Sequence, residues 1–401
     1  MTGHIGFAFE QNDAARALLG IAAELAPRWG RRSARAESLG ALPPDTVEEL
    51  FEAGLLSIAT AHRYGGAELG WPALLETSRC AARACASTGW MIALMGGHAA
   101  LACRLPEVMQ QRMFGNGRRQ LISTATPSET GILTSEAGDY RISGLWRYCT
   151  GVDHATWILA RCYHAGDLIG VTRPGHLVLL DPRQVTVRHD AWQVMGMRGT
   201  GSKDFTIHDQ FVQPEMTLRL SVVLDARPDA GSAGRGGYLA EVPFQPYFLS
   251  LLIGAIVGCA EGAYDEYLEG TRSRRGGGTG GLLAERLAES SGKIVCAGHL
   301  YRSILETLHR AGLSRRELTP YEQARVGRDR AYLARLCVEA VHGLVRQLGT
   351  RAMSENDPVC RHWRDLQVMA SHLDVSWDRW MLAYGDHVLS AVPSHGVRAP
   401  S

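Results

Sequence analysis

The side chains in this 401-residue chain that could do chemistry are mainly fifteen histidines, nine cysteines and a few hydroxyl-bearing motifs. The histidines do not fall into metal-ligand spacing, apart from a loose pairing of Cys360 with His362, so we expect no metal site. The cysteines are odd in number and scattered, without a CxxC pair. That pattern is typical of a reduced protein and not of a disulfide framework.

Several common catalytic motifs do not occur in the sequence. It has no GxSxG, no P-loop, no HExxH and no GxGxxG after a strand. The run RGGGTGG at 275–281 lacks the Lys-Ser/Thr pair that a phosphate-binding loop needs. The residues alone therefore leave two possibilities: a binding protein without a cofactor, or an enzyme that holds its cofactor by the shape of its site.

Composition and charge restrict the class of protein. The hydrophobic share of 45% and the charged share of 21% are ordinary for a globular protein, and the net charge of +1 attracts neither nucleic acid nor an anionic membrane. The N-terminus has no basic start followed by an apolar run, so no signal peptide is expected. The longest apolar stretch, 248–260, is shorter than the roughly 20 residues of a membrane span and predicts a buried core helix. We expect a cytoplasmic protein.

Apolar spacing and turn residues divide the chain into three parts. Residues 1–120 are expected to be a helical domain, with helices over 12–29, 46–53, 71–85 and 90–103 and a short helix after Pro106. Short segments rich in β-formers predict a β-domain over 121–225. Residues 226–401 are expected to be a helical bundle, with helices over 248–270, 283–311, 319–348 and 360–389. This α+β order argues against a Rossmann-type nicotinamide enzyme.

Two glycine-rich connectors interrupt the C-terminal part, at 225–238 and 274–281. They are expected to be either mobile loops or plain surface linkers.

Four segments, in chain order, carry a resemblance to a known family. They are LISTATPSETG (121–131), YRISGLWRYCTGVDHATWILA (140–160), QVMGMRGTGSKDFTIHDQFVQPE (193–215) and CRHWRDLQVMASH (360–372). With their helical flanks they resemble the acyl-CoA dehydrogenase superfamily over nearly the whole chain. The resemblance implies an N-terminal helical domain, a central β-barrel or sandwich, and a C-terminal four-helix bundle.

The superfamily contains two chemistries, and the residues favour one of them. The dehydrogenases abstract a proton with a glutamate in the last helical segment or near the start of the long helix after the β-domain. Here no glutamate follows Glu355, none occurs between Glu241 and Glu261, and Phe248 occupies the alternative position. The WRD…H ending at 363–372 instead resembles the two-component, reduced-flavin monooxygenases (group D hydroxylases).

That resemblance implies an oxygenase component that receives reduced FMN or FAD from a separate NAD(P)H-flavin reductase. It would use O2 to form a flavin hydroperoxide and hydroxylate a small aromatic or polyketide-like substrate, with no metal. Three alternatives stay open at this point: N- or S-oxygenation by the same chemistry, an acyl-CoA dehydrogenase-like dehydrogenase or oxidase, and a non-catalytic binding protein.

The resemblance also assigns roles to individual residues. His372 matches the monooxygenases' active-site histidine, a general base toward a phenol. Thr150 matches a Ser or Thr beside flavin N5; the monooxygenases more often have Ser-Gly there, so Cys149-Thr150 is a departure. Trp90 and His98 are expected to line the substrate site, with His98 a further catalytic candidate. The expected flavin contacts are Thr124, Ala125, Tyr148, Cys149, Thr150, Arg274 and Gly349.

Plainer interpretations of these positions remain. His372 and His98 would then be satisfied structural histidines, and Thr150 an ordinary strand residue. Arg364 and Asp365 are expected to form a structural ion pair or to anchor the flavin side. The arginines at 272, 274 and 275 either contact flavin phosphate from a neighbouring subunit or form a solvated charge run.

Assembly is also implied by the resemblance, because the family's flavin site is shared between subunits. Apolar residues on several faces of the third C-terminal helix favour a homotetramer built as a dimer of dimers. They are Leu333, Leu336, Val341, Leu344 and Val345.

Overall fold

The structure is a computed structural model that describes residues 12–126, 131–136, 138–166, 175–224, 237–273, 281–350 and 354–391. Its element order is helices, then strands, then helices, which confirms the predicted α+β fold.

The N-terminal part contains five helices. They are α1 (Asp13–Leu39), α2 (Pro44–Glu52), α3 (Trp71–Ala84), α4 (Ala86–Ala102) and α5 (Glu107–Phe114). Helix α1 is longer than the expected 12–29 because neither Gly nor Pro interrupts 31–39, and Arg32 pairs with Glu49 of α2 at 2.8 Å. It ends where Gly40 adopts a left-handed conformation. Helix α4 is buried on nearly every face, so it forms the centre of this part.

The described strands form one mixed sheet. They are β1 (Ile122–Ala125), β2 (Ile132–Glu136), β3 (Asp139–Cys149), β4 (Trp157–His164), β5 (His176–Leu180), β6 (Thr186–Arg188), β7 (Lys203–Val212) and β8 (Thr217–Arg219). The strand order is β6-β7-β3-β2-β4-β5-β8, and β1 pairs with β4 in parallel, Ile122 opposite Trp157. The other pairs are antiparallel except β2 with β4.

A separate apolar core lies inside the β-domain. Trp146 stacks on Phe205 with ring centroids 5.2 Å apart, and both rings are fully buried. The β3–β7 ladder is irregular between Trp146 and Cys149. Such a bulge changes the direction of the residues that follow it, here the end of β3 and Thr150.

The C-terminal part contains the remaining helices. They are α6 (Leu220–Leu224), α7 (Gln245–Phe248), α8 (Ile253–Ser273), α9 (Gly281–Leu313), α10 (Pro320–Leu348), α11 (Pro358–Ala370) and α12 (Trp377–Ala391). Helix α10 starts at a capping box in which Thr319 and Glu322 each bond the other's backbone N–H. Helices α3, α4, α8 and α11 share one apolar core, so the N- and C-terminal parts pack as one body.

Two of the predicted helices are interrupted. The expected helix over 248–270 is split into α7 and α8 by a turn at 249–252. The expected single helix over 360–389 is also wrong, because α11 ends at Ala370 and a short 3-10 turn, Leu373–Val375, precedes α12. The imidazole of His372 accepts a hydrogen bond from the backbone N–H of Asp374, and such local bonds compete with helix continuation.

One helical segment, Gln245–Arg272, is long and apolar enough to cross a membrane by length and composition. Most of it is buried inside the protein, as the prediction of a core helix requires.

Candidate active site

Three parts of the fold meet around the predicted site residues. Helix α4 carries Trp90 and His98, eight residues and about 12 Å apart along the helix axis. His98 contacts β1, and Trp90 contacts His372 in the segment between α11 and α12. The backbone of Thr150 is tied to β1 because the Ser123 hydroxyl donates to the Thr150 carbonyl at 2.8 Å.

His98 is buried and hydrogen-bonded through both ring nitrogens. Its Nδ1 lies 2.8 Å from the carbonyl oxygen of Ile122, which can only accept, so Nδ1 carries the proton. Burial lowers the pKa of His98 to about 4, so the ring is neutral and Nε2 holds a lone pair. The Thr124 hydroxyl, 3.1 Å from Nε2, must therefore donate to it. This geometry indicates that His98 positions the Thr124 hydroxyl.

Three buried hydroxyls form a chain beside the end of β3. Thr150 Oγ1 lies 2.9 Å from Ser202 Oγ, which lies 2.7 Å from Thr200 Oγ1. Thr200 in turn donates to the carbonyl oxygen of Met197 at 2.8 Å. The backbone also closes here, since Gly151 N–H donates to the Thr200 carbonyl at 3.0 Å. The loop over 197–202 thus positions the Thr150 side chain.

The same loop is fixed against α11. A Cβ atom on Gly196 would lie 2.2 Å from the carbonyl oxygen of Arg364, so only glycine allows this approach. The Met197 N–H donates to the buried carboxyl of Asp365. Arg364 pairs with Glu37 of α1 and donates to the Met195 carbonyl at 3.0 Å.

Burial raises the pKa of Asp365 to about 7. Because Arg364 pairs with Glu37 and Asp365 accepts from Met197 N–H, the expected ion pair between Arg364 and Asp365 does not form. Each residue serves as a separate anchor for the loop that holds Thr200 and Ser202.

His372 lies at the other end of the site and is more exposed. Its side chain is 40% exposed, and its ring meets Trp90 edge to face with centroids 6.0 Å apart. Since helix α11 ends at Ala370, His372 does not lie on the helix that was expected over 360–389. The structure brings His372 into contact with Trp90, another residue expected at the substrate site.

Asp374 controls which nitrogen of His372 carries the proton. Its backbone N–H donates to His372 Nδ1 at 3.2 Å, which leaves the proton of the neutral ring on Nε2. In this arrangement His372 is a hydrogen-bond donor. The Asp374 carboxylate lies 3.6 Å from the same Nδ1, so a ring turned toward this carboxylate would instead favour the tautomer that carries the proton on Nδ1. Only then is Nε2 free to act as a base.

The other predicted contacts are dispersed around this arrangement. Ala125 and Cys149 point into the β-domain core, and burial raises the pKa of the Cys149 thiol, so its backbone and not its sulfur is available. Tyr148 is 56% exposed and meets Trp192 with centroids 5.9 Å apart. Gly349 ends α10 at a φ of +64°. Arg274 lies outside the described residues.

Sequence reasoning missed Ser202, Thr200 and Asp374 as site residues. Ser202 and Thr200 belong to the RGTGS run, whose two hydroxyl residues, one between two glycines and one directly after the second, are the signal that could have found them. Asp374 gave no signal, because its role depends on a turn where a helix was expected.

Two family models match this chain. The acyl-CoA dehydrogenase N-terminal domain matches residues 12–106, and the C-terminal domain of the same family matches residues 251–377. Together they cover both helical parts of the fold. The chain belongs to the acyl-CoA dehydrogenase superfamily.

Proteins similar to this chain are named as monooxygenases or hydroxylases. The oxygenase subunit HsaA of a flavin-dependent monooxygenase from Mycobacterium tuberculosis is 27% identical over 396 residues, covering 96% of this chain and 98% of the relative. A pigment production hydroxylase from a Rhodococcus species is 27% identical, covering 87% and 90%. The oxygenase component of an FADH2-dependent resorcinol hydroxylase from a Rhizobium species is 27% identical, covering 94% and 95%.

Solved structures of similar proteins share the fold. The HsaA monooxygenase from M. tuberculosis matches with a TM-score of 0.86 at 24% identity, covering 94% of this chain and 99% of that one. XiaF from a Streptomyces species, solved with FADH2 and glycerol, also has a TM-score of 0.86, at 22% identity and 98% coverage of both chains.

The residues present fit a flavin. Among the described strands, β1 pairs only with β4, so its second edge is left with backbone groups that no strand uses. Thr124 and Ala125, which the sequence resemblance puts beside the isoalloxazine, are buried at the end of this strand. The adjacent Thr150 hydroxyl and the exposed Tyr148 ring add a polar contact and an aromatic surface. In the described residues no group of three or more His, Cys, Asp or Glu side chains could hold a metal ion.

Proposed function

We propose that this chain is the oxygenase component of a two-component flavin-dependent monooxygenase that hydroxylates a phenolic or other aromatic compound. The observation that carries the proposal is the Trp90–His372 pair. It places a partly exposed imidazole at the site, in a C-terminal segment that contains no glutamate after Glu355. Relatives named as hydroxylases of aromatic compounds support the same class.

A dehydrogenase role is disfavoured by what surrounds the alternative base position. Phe248 packs against His98 there, with ring centroids 6.1 Å apart. The next glutamate along α8, Glu261, is buried and paired with Arg79 at 2.5 Å. A carboxylate held in that pair is not available to take a substrate proton.

Thr124, Ala125, Tyr148 and Thr150 would hold the flavin, which when reduced and bound supplies activation of O2 and transfer of one oxygen atom. The protein's own residues would act on the substrate and on water. His372 Nε2 would take or share the proton of the substrate hydroxyl, and Trp90 would fix the plane of the imidazole. Phe248, Trp90 and the apolar surface of α4 would exclude water from the reacting groups.

The partner and the flavin form are further parts of the proposal. We propose that a separate NAD(P)H-dependent reductase supplies the reduced flavin, as the word component in the relatives' names indicates. Similar structures were solved both with FADH2 and with FMN, so competition between FMNH2 and FADH2 for one site is the measurement that decides between them.

A homotetramer also belongs to the proposal, although its surface differs from the expected one. Leu333, Val341, Leu344 and Val345 are buried within the protomer and cannot form an interface. Exposed apolar side chains occur instead at Leu373, Leu382 and Leu389, with 58%, 66% and 74% of their surface accessible. Light scattering at micromolar concentration tests this, and a monomer would contradict it.

The test of the proposed function is component dependence. The purified chain is incubated with NADH, flavin and a panel of phenols, with and without an added flavin reductase. We expect no NADH oxidation by the chain alone and a product heavier by one oxygen atom when the reductase is present. Rapid NADH oxidation without the reductase, or hydroxylation with oxidised flavin, would contradict the proposal.

A further inference from the structure

The hydroxyls of Thr150, Ser202 and Thr200 form a hydrogen-bond chain that can run in only one direction. Each hydroxyl has a single hydrogen to donate. Thr200 gives its hydrogen to the Met197 carbonyl, which can only accept. Ser202 must then donate to Thr200, and Thr150 must donate to Ser202. The hydrogen of Thr150 is committed, so Thr150 Oγ1 can only accept from any further partner.

Burial keeps the hydrogen bonds of the three hydroxyls in this one direction. Thr150, Ser202 and Thr200 are 7%, 5% and 2% exposed, so water does not compete for their hydrogens. The loop that carries Ser202 and Thr200 is held by the close approach of Gly196 to α11 and by the ion pair of Lys203 with Asp153, at 2.7 Å. Rearrangement of the chain would leave a buried hydroxyl or carbonyl without a partner.

The Thr124 hydroxyl is also limited to accepting from further partners, because a different residue, His98, takes its hydrogen. Its hydroxyl donates to Nε2 of His98, whose other nitrogen is fixed as a donor by the Ile122 carbonyl. The two threonines expected at the flavin therefore both present acceptors only.

A flavin changes its hydrogen-bonding character with its redox state. N5 of the isoalloxazine is an acceptor when the flavin is oxidised and carries an N–H when it is reduced. An acceptor-only hydroxyl pairs with the N–H and faces a lone pair with the oxidised form. We propose that Ser202 and Thr200 are positioning residues that make the site select reduced over oxidised flavin through Thr150. This inference rests on the proposed function, which puts N5 beside Thr150.

Variants that release the hydrogen of Thr150 test the proposal. In Ser202→Ala the Thr150 hydroxyl loses its hydrogen-bond acceptor. Its hydrogen can then turn toward N5 of an oxidised flavin. Thr200→Val has nearly the same shape as the native residue but lets Ser202 donate elsewhere. Ser202→Thr keeps the hydroxyl and should restore the native behaviour. Ser290→Ala is the matched control, because it removes a buried serine hydroxyl bonded to the Ala340 carbonyl at 3.0 Å, in the C-terminal helices.

The readout is binding and not turnover. Kd is measured anaerobically for the same flavin in its reduced and oxidised forms, together with the midpoint potential of the bound flavin. We expect the native preference for the reduced form to fall about tenfold or more in Ser202→Ala and Thr200→Val. A tenfold fall corresponds to a shift of about 30 mV toward more negative potential for a two-electron couple. Ser290→Ala should leave both quantities unchanged.

The outcomes separate the inference from the proposed function. If the native protein prefers reduced flavin, and Ser202→Ala and Thr200→Val keep that preference, the hydrogen-bond chain does not cause the preference and the inference is wrong. If native protein binds neither form of FMN or FAD, the proposed function fails and the inference with it.

Discussion

The two ends of the site differ in how firmly their side chains are held. At the β-domain end Thr124, Thr150 and Ser202 are buried, and their hydrogen bonds leave no choice of donor. At the other end His372 is 40% exposed and faces both the N–H and the carboxylate of Asp374. The comparison indicates that the end proposed to hold the cofactor is preorganised, whereas the end proposed to hold the substrate can change its proton position. A reaction that binds one cofactor but must move a substrate proton requires both.

The largest expected effect is a loss of product formation, without a loss of flavin binding, when His372 is removed. His372→Ala should still bind reduced flavin but lose about 10²–10⁴-fold in product formation, because the substrate hydroxyl loses its proton acceptor. Oxygen uptake should continue, with H2O2 replacing product. His342→Ala, which removes an exposed histidine of α10, is the control. Near-native coupling in His372→Ala would mean that His372 only lines the site.

The β-domain end of the site should lose its structure when the loop over 197–202 cannot approach α11. In Gly196→Ala the new Cβ would meet backbone atoms of Arg364 and Asp365 at 2.2–2.5 Å. We expect a loss of about 3 kcal/mol in the free energy of unfolding, and weaker flavin binding, measured by urea denaturation and titration. Gly292→Ala, whose Cβ meets nothing within 4 Å in α9, should be neutral or stabilising. Equal stability of the two variants would show that the Gly196 contact does not hold the loop.

Acid should weaken the rigid end through His98. Because burial lowers its pKa in the folded protein to about 4, the unfolded chain binds more protons between pH 6.5 and 4, and stability falls as the pH falls through that range. His98 should account for about 2 kcal/mol of the loss between pH 7 and pH 5.

Other buried groups also contribute to the pH dependence, so the test is a difference between proteins. Burial lowers the pKa of His362 to about 4 and adds to the loss, while the pKa of Asp365, raised to about 7, acts in the opposite direction. The pH dependence of urea unfolding in His98→Gln should therefore be shallower than in the native protein by the His98 share. Identical slopes would rule out a buried neutral His98.

The smallest expected effect is at the His372 end of the site, where Asp374 can change the proton position. Asp374→Asn keeps the backbone N–H that bonds His372 Nδ1 and removes the carboxylate. If the carboxylate holds the proton on Nδ1 during the reaction, product formation should fall about tenfold while the Kd for flavin stays unchanged. An unchanged rate would indicate that His372 works as an Nε2–H donor.

The sequence predicted the fold because its signals are local and regular. Apolar spacing located nearly all the helices, and the capping residues Asn12 and Thr319 lie at helix starts. The predictions for the interrupted helices failed because each break depends on a side-chain bond or tertiary packing that periodicity does not contain. Trp90, His98 and Thr150 were predicted from motifs, but Ser202 and Asp374 act through hydrogen bonds whose geometry only the folded chain reveals.

Oxygen transfer itself is the central claim, and isotope labelling tests it most directly. The purified protein is mixed under single-turnover conditions with chemically reduced flavin, a phenolic substrate that passes the component test, and ¹⁸O2. We predict a hydroxylated product that carries one ¹⁸O atom per molecule, formed without NADH or reductase. A product without ¹⁸O would contradict the account. So would conversion of an acyl thioester to its α,β-unsaturated form in a parallel anaerobic mixture with oxidised flavin.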